Sequence, residues 1–106
     1  MPRYFIELSY CGTPFQGWQI QSNTSNTIQH YLADVLSCTL KHPVLPIGCG
    51  RTDTGVHAKQ FFAHFDSHTL HQNPFEDWIY KWNRMLPKDI AIHRILPVID
   101  NAHARY

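Results

Sequence analysis

The sequence predicts an α+β domain: an antiparallel four-stranded sheet with two helices on one face. Three observations carry that expectation. Apolar and polar residues alternate with period two over Arg3 to Tyr10 and again over Lys59 to Phe65, which marks half-buried strands. Two other stretches, beginning near Asn26 and Asn73, repeat their apolar residues at helical spacing instead. The resulting order is strand, helix, strand, strand, helix, strand, and one sheet covered on a single face satisfies it.

In the first strand Tyr4, Ile6, Leu8 and Tyr10 share one face, with Phe5, Glu7 and Ser9 on the other. Cys11 to Ser25 is polar and turn-rich, holds Gly12, Pro14 and Gly17, and embeds Phe15, Trp18 and Ile20. A connection of this length in a small domain usually has a function. Asn26 and Gln29 have capping-box spacing, and Ile28, Tyr31, Leu32, Val35, Leu36 and Leu40 form the apolar stripe behind them, with Pro43 closing the helix. Val44 to Cys49 reads as a short strand whose Pro46 suits an edge position. Asn73, Pro74 and Glu76 announce the second helix as cap, first helical residue and capping-box partner. Phe75, Trp78, Ile79, Trp82, Met85 and Leu86 line its face, Pro87 stops it, and Ile90 to Ile95 supplies the last strand. This βαββαβ order is the ferredoxin-like one.

Composition narrows the function classes. A hydrophobic content of 43% in 106 residues supports one small folded domain and not a disordered tail. The formal charge of +1 does not announce nucleic acid through bulk basicity. Three widely spaced cysteines, Cys11, Cys38 and Cys49, argue against a disulfide framework and for a reducing, cytoplasmic setting. No apolar run approaches the roughly 18 residues of a membrane span, and the N-terminus does not read as a signal peptide.

The densest reactive chemistry lies in GRTDTGVHA, Gly50 to Ala58, where Arg51, Thr52, Asp53 and His57 fall within seven residues. Read by spacing alone, this is a glycine-bounded turn with local hydrogen bonds and a solvated ion pair. A metal site over Cys49, Asp53 and His57 lacks any paired zinc-type spacing. A phosphate loop lacks the GxxxxGK[ST] pattern.

The full string resembles the signature of the tRNA pseudouridine synthase A family, which usually carries Ala at the position of Thr54. Further likenesses follow in order along the chain. YCGTPFQGWQIQ, Tyr10 to Gln21, resembles the opening YDG…GWQ.Q segment, with Cys11 where Asp is usual. NTIQHYLADVL resembles the first helix and FFAHF the strand after it. Asn83 with LPKDIAI, and then AHARY at Ala102 to Tyr106, resemble the N..LP.DI and FHAR[FY] segments.

The resemblance implies that residues 1–106 are the N-terminal domain carrying the catalytic aspartate, with the C-terminal domain absent. It implies conversion of uridine to pseudouridine in the anticodon stem-loop of tRNA, without cofactor or metal, by a protein that is a homodimer at full length. Asp53 matches the catalytic carboxylate, which either attacks C1′ of the sugar or removes the proton at C2′. Arg51 matches the arginine that helps extrude the base, a task suited to a planar guanidinium. Thr52, His57, Trp18 and Gln19 join Arg51 as RNA-contact candidates. Read alone, His57 is a loop brace, Trp18 a packing residue and Gln19 a solvated side chain. A tyrosine over the uracil and a basic partner for the aspartate would come from beyond position 106, so the isolated chain is expected to be inactive. The alternative is a non-catalytic RNA-binding or assembly module of the same fold.

Overall fold

A computed structural model describes residues 2–12, 14–15, 17–20, 26–49 and 57–98. The elements are β1 (Arg3–Tyr10), α1 (Ile28–Leu40), β2 (Ile47–Gly48), β3 (Ala58–Asp66), a single 3₁₀ turn (Leu70–Gln72), α2 (Phe75–Met85) and β4 (Ile90–Val98). The sheet order is β2-β3-β1-β4, with every pairing antiparallel. This is the expected α+β ferredoxin-like arrangement.

Alternation sets the central strand. Tyr4, Ile6, Leu8 and Tyr10 are buried, and their cross-strand partners Phe65, Ala63 and Phe61 on β3 are buried with them. Ile90, Ile92 and Ile95 of β4 continue the same face. Onto it pack Ile28, Leu32, Leu36 and Leu40 of α1 and Trp78 and Trp82 of α2, all in one core. The helices also meet through a polar tie. The Thr39 hydroxyl accepts from Trp82 Nε1 at 2.8 Å while donating to the Val35 carbonyl at 2.8 Å.

β1 runs over the residues its alternation predicts, whereas both helix starts differ from expectation. The cap of α1 is Thr27, whose hydroxyl accepts from the His30 amide at 3.3 Å. Asn26 is turned away to the Pro14 carbonyl and the Tyr31 hydroxyl, and Gln29 is used elsewhere. Pro74 takes the cap position of α2, with no side-chain cap bond. Asn73 instead ends the preceding 3₁₀ turn, its amide donating to the Leu70 carbonyl. Glu76 and Asp77 sit in the first turn of α2, where their charge complements the helix dipole.

The strands differ in extent. β2 is two residues long and lies at the sheet edge, as Pro46 anticipates, but the expected Val44 to Cys49 span is not a full strand. β4 runs on to Val98 and contains a bulge opposite Glu7 and Leu8. The bulge turns both His93 and Arg94 to solvent between the buried Ile92 and Ile95. The Asn83 side-chain amide straps α2 across it, donating to the Ile92 carbonyl at 2.9 Å and accepting from the Ile92 amide at 2.7 Å.

Arg3 of β1 and Asp66 of β3 close the far end of the sheet by a two-point ion pair at 2.8 and 3.2 Å. The Arg3 hydrogen bond holds the Asp66 carboxyl below its ordinary value of 3.8. A carboxyl depressed by folding contributes stability above its unfolded value and loses it as pH falls through the folded one. Asp66→Asn is therefore expected to lower stability at pH 7 by about 0.5 kcal/mol, since the pair is partly solvent-screened. Denaturant unfolding should show wild type and variant converging as pH drops below about 4.

Candidate active site

Arg51, Thr52 and Asp53 lie outside the described residues, so the site is built from what flanks them. On the leading side stand β2 and Cys49; on the trailing side stand His57 and the start of β3. The connection after β1 reaches both.

Trp18 reaches the leading side. Its indole is 1% exposed and lies 4.7 Å, centroid to centroid, from the Phe61 ring. A Cβ at Gly48 would stand 2.8 Å from the Trp18 ring and 2.9 Å from Phe61, so a residue without a side chain is what lets the strand pass beneath the indole. The Cys49 amide then donates to the Phe62 carbonyl at 2.8 Å. As placed, Trp18 supports the strand from inside the core and offers almost no surface to RNA. Gln19 beside it is half-buried.

Gln29 is the brace that sequence spacing assigns to a capping box. It is 2% exposed. Its Oε1 accepts from the Ile20 amide at 2.9 Å, and its Nε2 donates to the Pro46 carbonyl at 2.8 Å. One buried amide therefore ties the connection after β1 to the approach to β2. The Gly17 and Trp18 carbonyls also accept from the Ile28 and Gln29 amides, joining that connection to the first turn of α1.

His57 holds the trailing side. Its Nδ1 accepts from the Gly12 amide at 2.8 Å. The Cys11 amide donates to the Asp89 carbonyl at 2.9 Å, which fixes the same turn to the start of β4.

His57 and Cys11 open onto a cleft of about 680 Å³ at this end of the sheet face opposite the helices. Among the described residues, Lys59, Lys88, His57 and His93 line it with one carboxylate, Asp89. Ser9 Oγ lies 2.8 Å from His93 Nε2 on its floor. Beyond it Glu7 accepts from Arg94 at 2.6 Å and from Gln60 at 3.1 Å. Those two hydrogen bonds, Arg94's first, lower the Glu7 pKa. Local composition is thus basic although the whole chain is nearly neutral. The basic side chains are far apart in sequence, and the sheet register and the β4 bulge bring them together. Among the described residues no group of three or more His, Cys, Asp or Glu is placed to hold a metal ion, and no helix is long and apolar enough to cross a membrane.

Fold and cleft define a ferredoxin-like α+β domain with a basic recess lined by His57 and the start of β3. Comparison with known proteins makes that class specific. The whole chain is 47% identical to tRNA pseudouridine synthase A of Parabacteroides distasonis, covering 41% of that protein. It is 46% identical to tRNA pseudouridine synthase A of Bacteroides thetaiotaomicron and 39% identical to that of Acinetobacter baylyi, covering 38% of each. The chain is a homologue of the N-terminal part of tRNA pseudouridine synthase A and spans about two-fifths of the length of these relatives. No family model matches it.

The contact at Gly48 makes a direct prediction. Gly48→Ala is expected to cost about 1–3 kcal/mol, the range for overpacking a filled core, because neither ring above it has room to retreat. Chemical unfolding monitored by tryptophan fluorescence measures this.

Proposed function

We propose that this chain is the catalytic-aspartate part of a tRNA pseudouridine synthase that isomerises uridine to pseudouridine in the anticodon stem-loop. The end-to-end match to proteins of that name, together with the GRTDTGVHA string around Asp53, is the observation that supports the reading. The reaction breaks the N-glycosidic bond, turns the base and rejoins it through carbon. Asp53 supplies the carboxylate, either as nucleophile at C1′ or as base at C2′. An aspartate ordinarily titrates near 3.9 and is charged at neutral pH; Arg51, two residues away, would favour that state.

The target base must leave its stack to reach such a carboxylate. Arg51 aids that step by stacking or by bonding phosphate, with Thr52 and Gln19 as further RNA contacts. Trp18 acts through the strand it supports. Lys59 and Lys88, which line the 680 Å³ cleft, take the backbone phosphates on either side of the extruded nucleotide. The remaining groups around the uracil come from the rest of a protein the length of the relatives, a homodimer in the cytoplasm.

Two measurements test this. In the intact gene product Asp53→Ala should retain tRNA binding and lower pseudouridine formation by at least about 10³-fold, the scale for loss of an essential reacting group. The 106-residue chain alone should give no multiple turnover. Equal activity in wild type and variant would refute the role of Asp53. Binding without modification by wild type would favour the RNA-binding module instead. Separately, Lys59→Ala with Lys88→Ala should weaken tRNA binding and reduce the slope of log K against log salt by about 1 per lysine. An unchanged slope would remove the RNA backbone from this cleft.

A further inference from the structure

Two acidic residues near one another in the fold, Glu7 and Asp89, are treated differently. Glu7 is answered twice, by Arg94 at 2.6 Å and by Gln60 at 3.1 Å. Asp89 lines the 680 Å³ cleft together with Lys59 and Lys88 and is paired with neither. Among the described residues the ion pairs join Arg3 to Asp66, His30 to Asp34 and Arg94 to Glu7, and Asp89 bonds through its backbone carbonyl instead. We propose that Asp89 reads ribose: its carboxylate accepts a hydrogen bond from a 2′-hydroxyl of the bound RNA and so selects RNA over DNA in this cleft. The inference rests on the function proposed above and deepens it, by naming what the cleft recognises besides phosphate.

A carboxylate set among phosphate-binding lysines opposes binding by like charge unless the ligand brings it a donor. In a sugar-phosphate backbone the phosphate and ring oxygens only accept, whereas the 2′-hydroxyl both donates and accepts. It is also the group that DNA lacks. Asp89 follows Lys88 directly in the chain, so a phosphate held by Lys88 carries its adjoining ribose to the neighbouring residue. Acidic side chains hold ribose hydroxyls by the same bond in dinucleotide sites.

Asp89 is set in place before RNA arrives. Its carbonyl accepts from the Cys11 amide at 2.9 Å, and the Ile90 amide after it donates to the Pro87 carbonyl at 3.0 Å. Pro87 has a fixed φ, and Ile90 is buried at the start of β4. Asp89 is half-buried, while Lys59 and Lys88 are exposed. The lysines can follow a phosphate, whereas the acid stays where the turn sets it, and a preorganised acceptor loses less on binding. On the cleft floor Ser9 Oγ and His93 Nε2 engage each other at 2.8 Å. Among the described lining residues Asp89 is therefore the anionic acceptor left for a ligand.

The test uses the intact gene product with the anticodon stem-loop as RNA and as DNA of the same sequence carrying deoxyuridine. Wild type should bind the RNA at least about 10-fold more tightly, the scale of one hydrogen bond to a charged group. Asp89→Ala should weaken RNA binding by about 10-fold and leave DNA binding equal or tighter. Asp89→Asn keeps an acceptor oxygen without the charge and should fall between. RNAs with one 2′-deoxy substitution, placed in turn at each nucleotide other than the target uridine, locate the contact. One position should weaken wild type and leave Asp89→Ala unaffected. Tightening of both ligands by Asp89→Ala would make Asp89 a plain repulsive charge, and equal weakening of both would make it a brace of the turn. Either result overturns the proposal, as does an Asn variant as weak as Ala or a deoxy loss that persists in Asp89→Ala. Wild type that neither binds nor modifies the stem-loop overturns the function and the ribose reading together. Wild type that modifies it with no ribose dependence tied to Asp89 overturns the ribose reading alone.

Discussion

The indole of Trp18 occupies the space that a side chain at residue 48 would need, with a Cβ there only 2.8 Å from the ring. Much of the site's construction depends on this exclusion. It sets how closely the connection after β1 approaches the sheet edge, and hence where the chain leaves β2. Gln29 repeats the restraint with hydrogen bonds, one arm on Ile20 and the other on Pro46. A two-residue edge strand has little pairing of its own. Packing and one buried amide supply what the missing ladder would have provided.

The basic recess shows how a nearly neutral chain assembles local charge. Lys59 enters from the start of β3, Lys88 from the turn after α2, and His93 from a bulge. Without the bulge, a strict alternation from Ile92 would send one of His93 and Arg94 toward the core. The Asn83 amide satisfies both backbone groups of Ile92, which holds the distortion in place from the helical side. Glu7 offsets Arg94 in the middle of the sheet, so the positive field concentrates toward the end where Lys59 and Lys88 stand. Such focusing raises the local concentration of an anionic chain without requiring high net charge.

Much of the fold could be read before any coordinates because alternation and helical spacing report burial directly. Arg3–Tyr10 is a case in which period and structure coincide. The helix starts differ by a residue because Asn26 and Thr27, like Asn73 and Pro74, are adjacent residues able to serve at a boundary, and distant partners decide between them. Gln29 misled because capping-box spacing also fits a residue whose contacts lie across the fold. The β4 bulge left one trace, the three-residue step between Ile92 and Ile95, and a step of three does not distinguish a bulge from the end of a strand. The candidate site is a string of residue types that sequence alone can pick out, whereas the cleft is not, since its basic side chains are gathered by register. Arg51, Thr52 and Asp53 fall outside the described residues.

Thr39 shows how the helices are oriented as well as spaced. Its hydroxyl is shared between a carbonyl on its own helix and the Trp82 indole of the other. Valine has nearly the same shape but would leave a tryptophan N–H without an acceptor, and serine would preserve both bonds while surrendering a methyl contact. Sequence drift at this position is therefore filtered by polarity before size. A purely greasy seam between α1 and α2 could slide or rotate by a fraction of a turn at small expense. One shared hydroxyl makes rotation of either helix about its axis costly, and so indexes the two helices against each other like a key in a shaft.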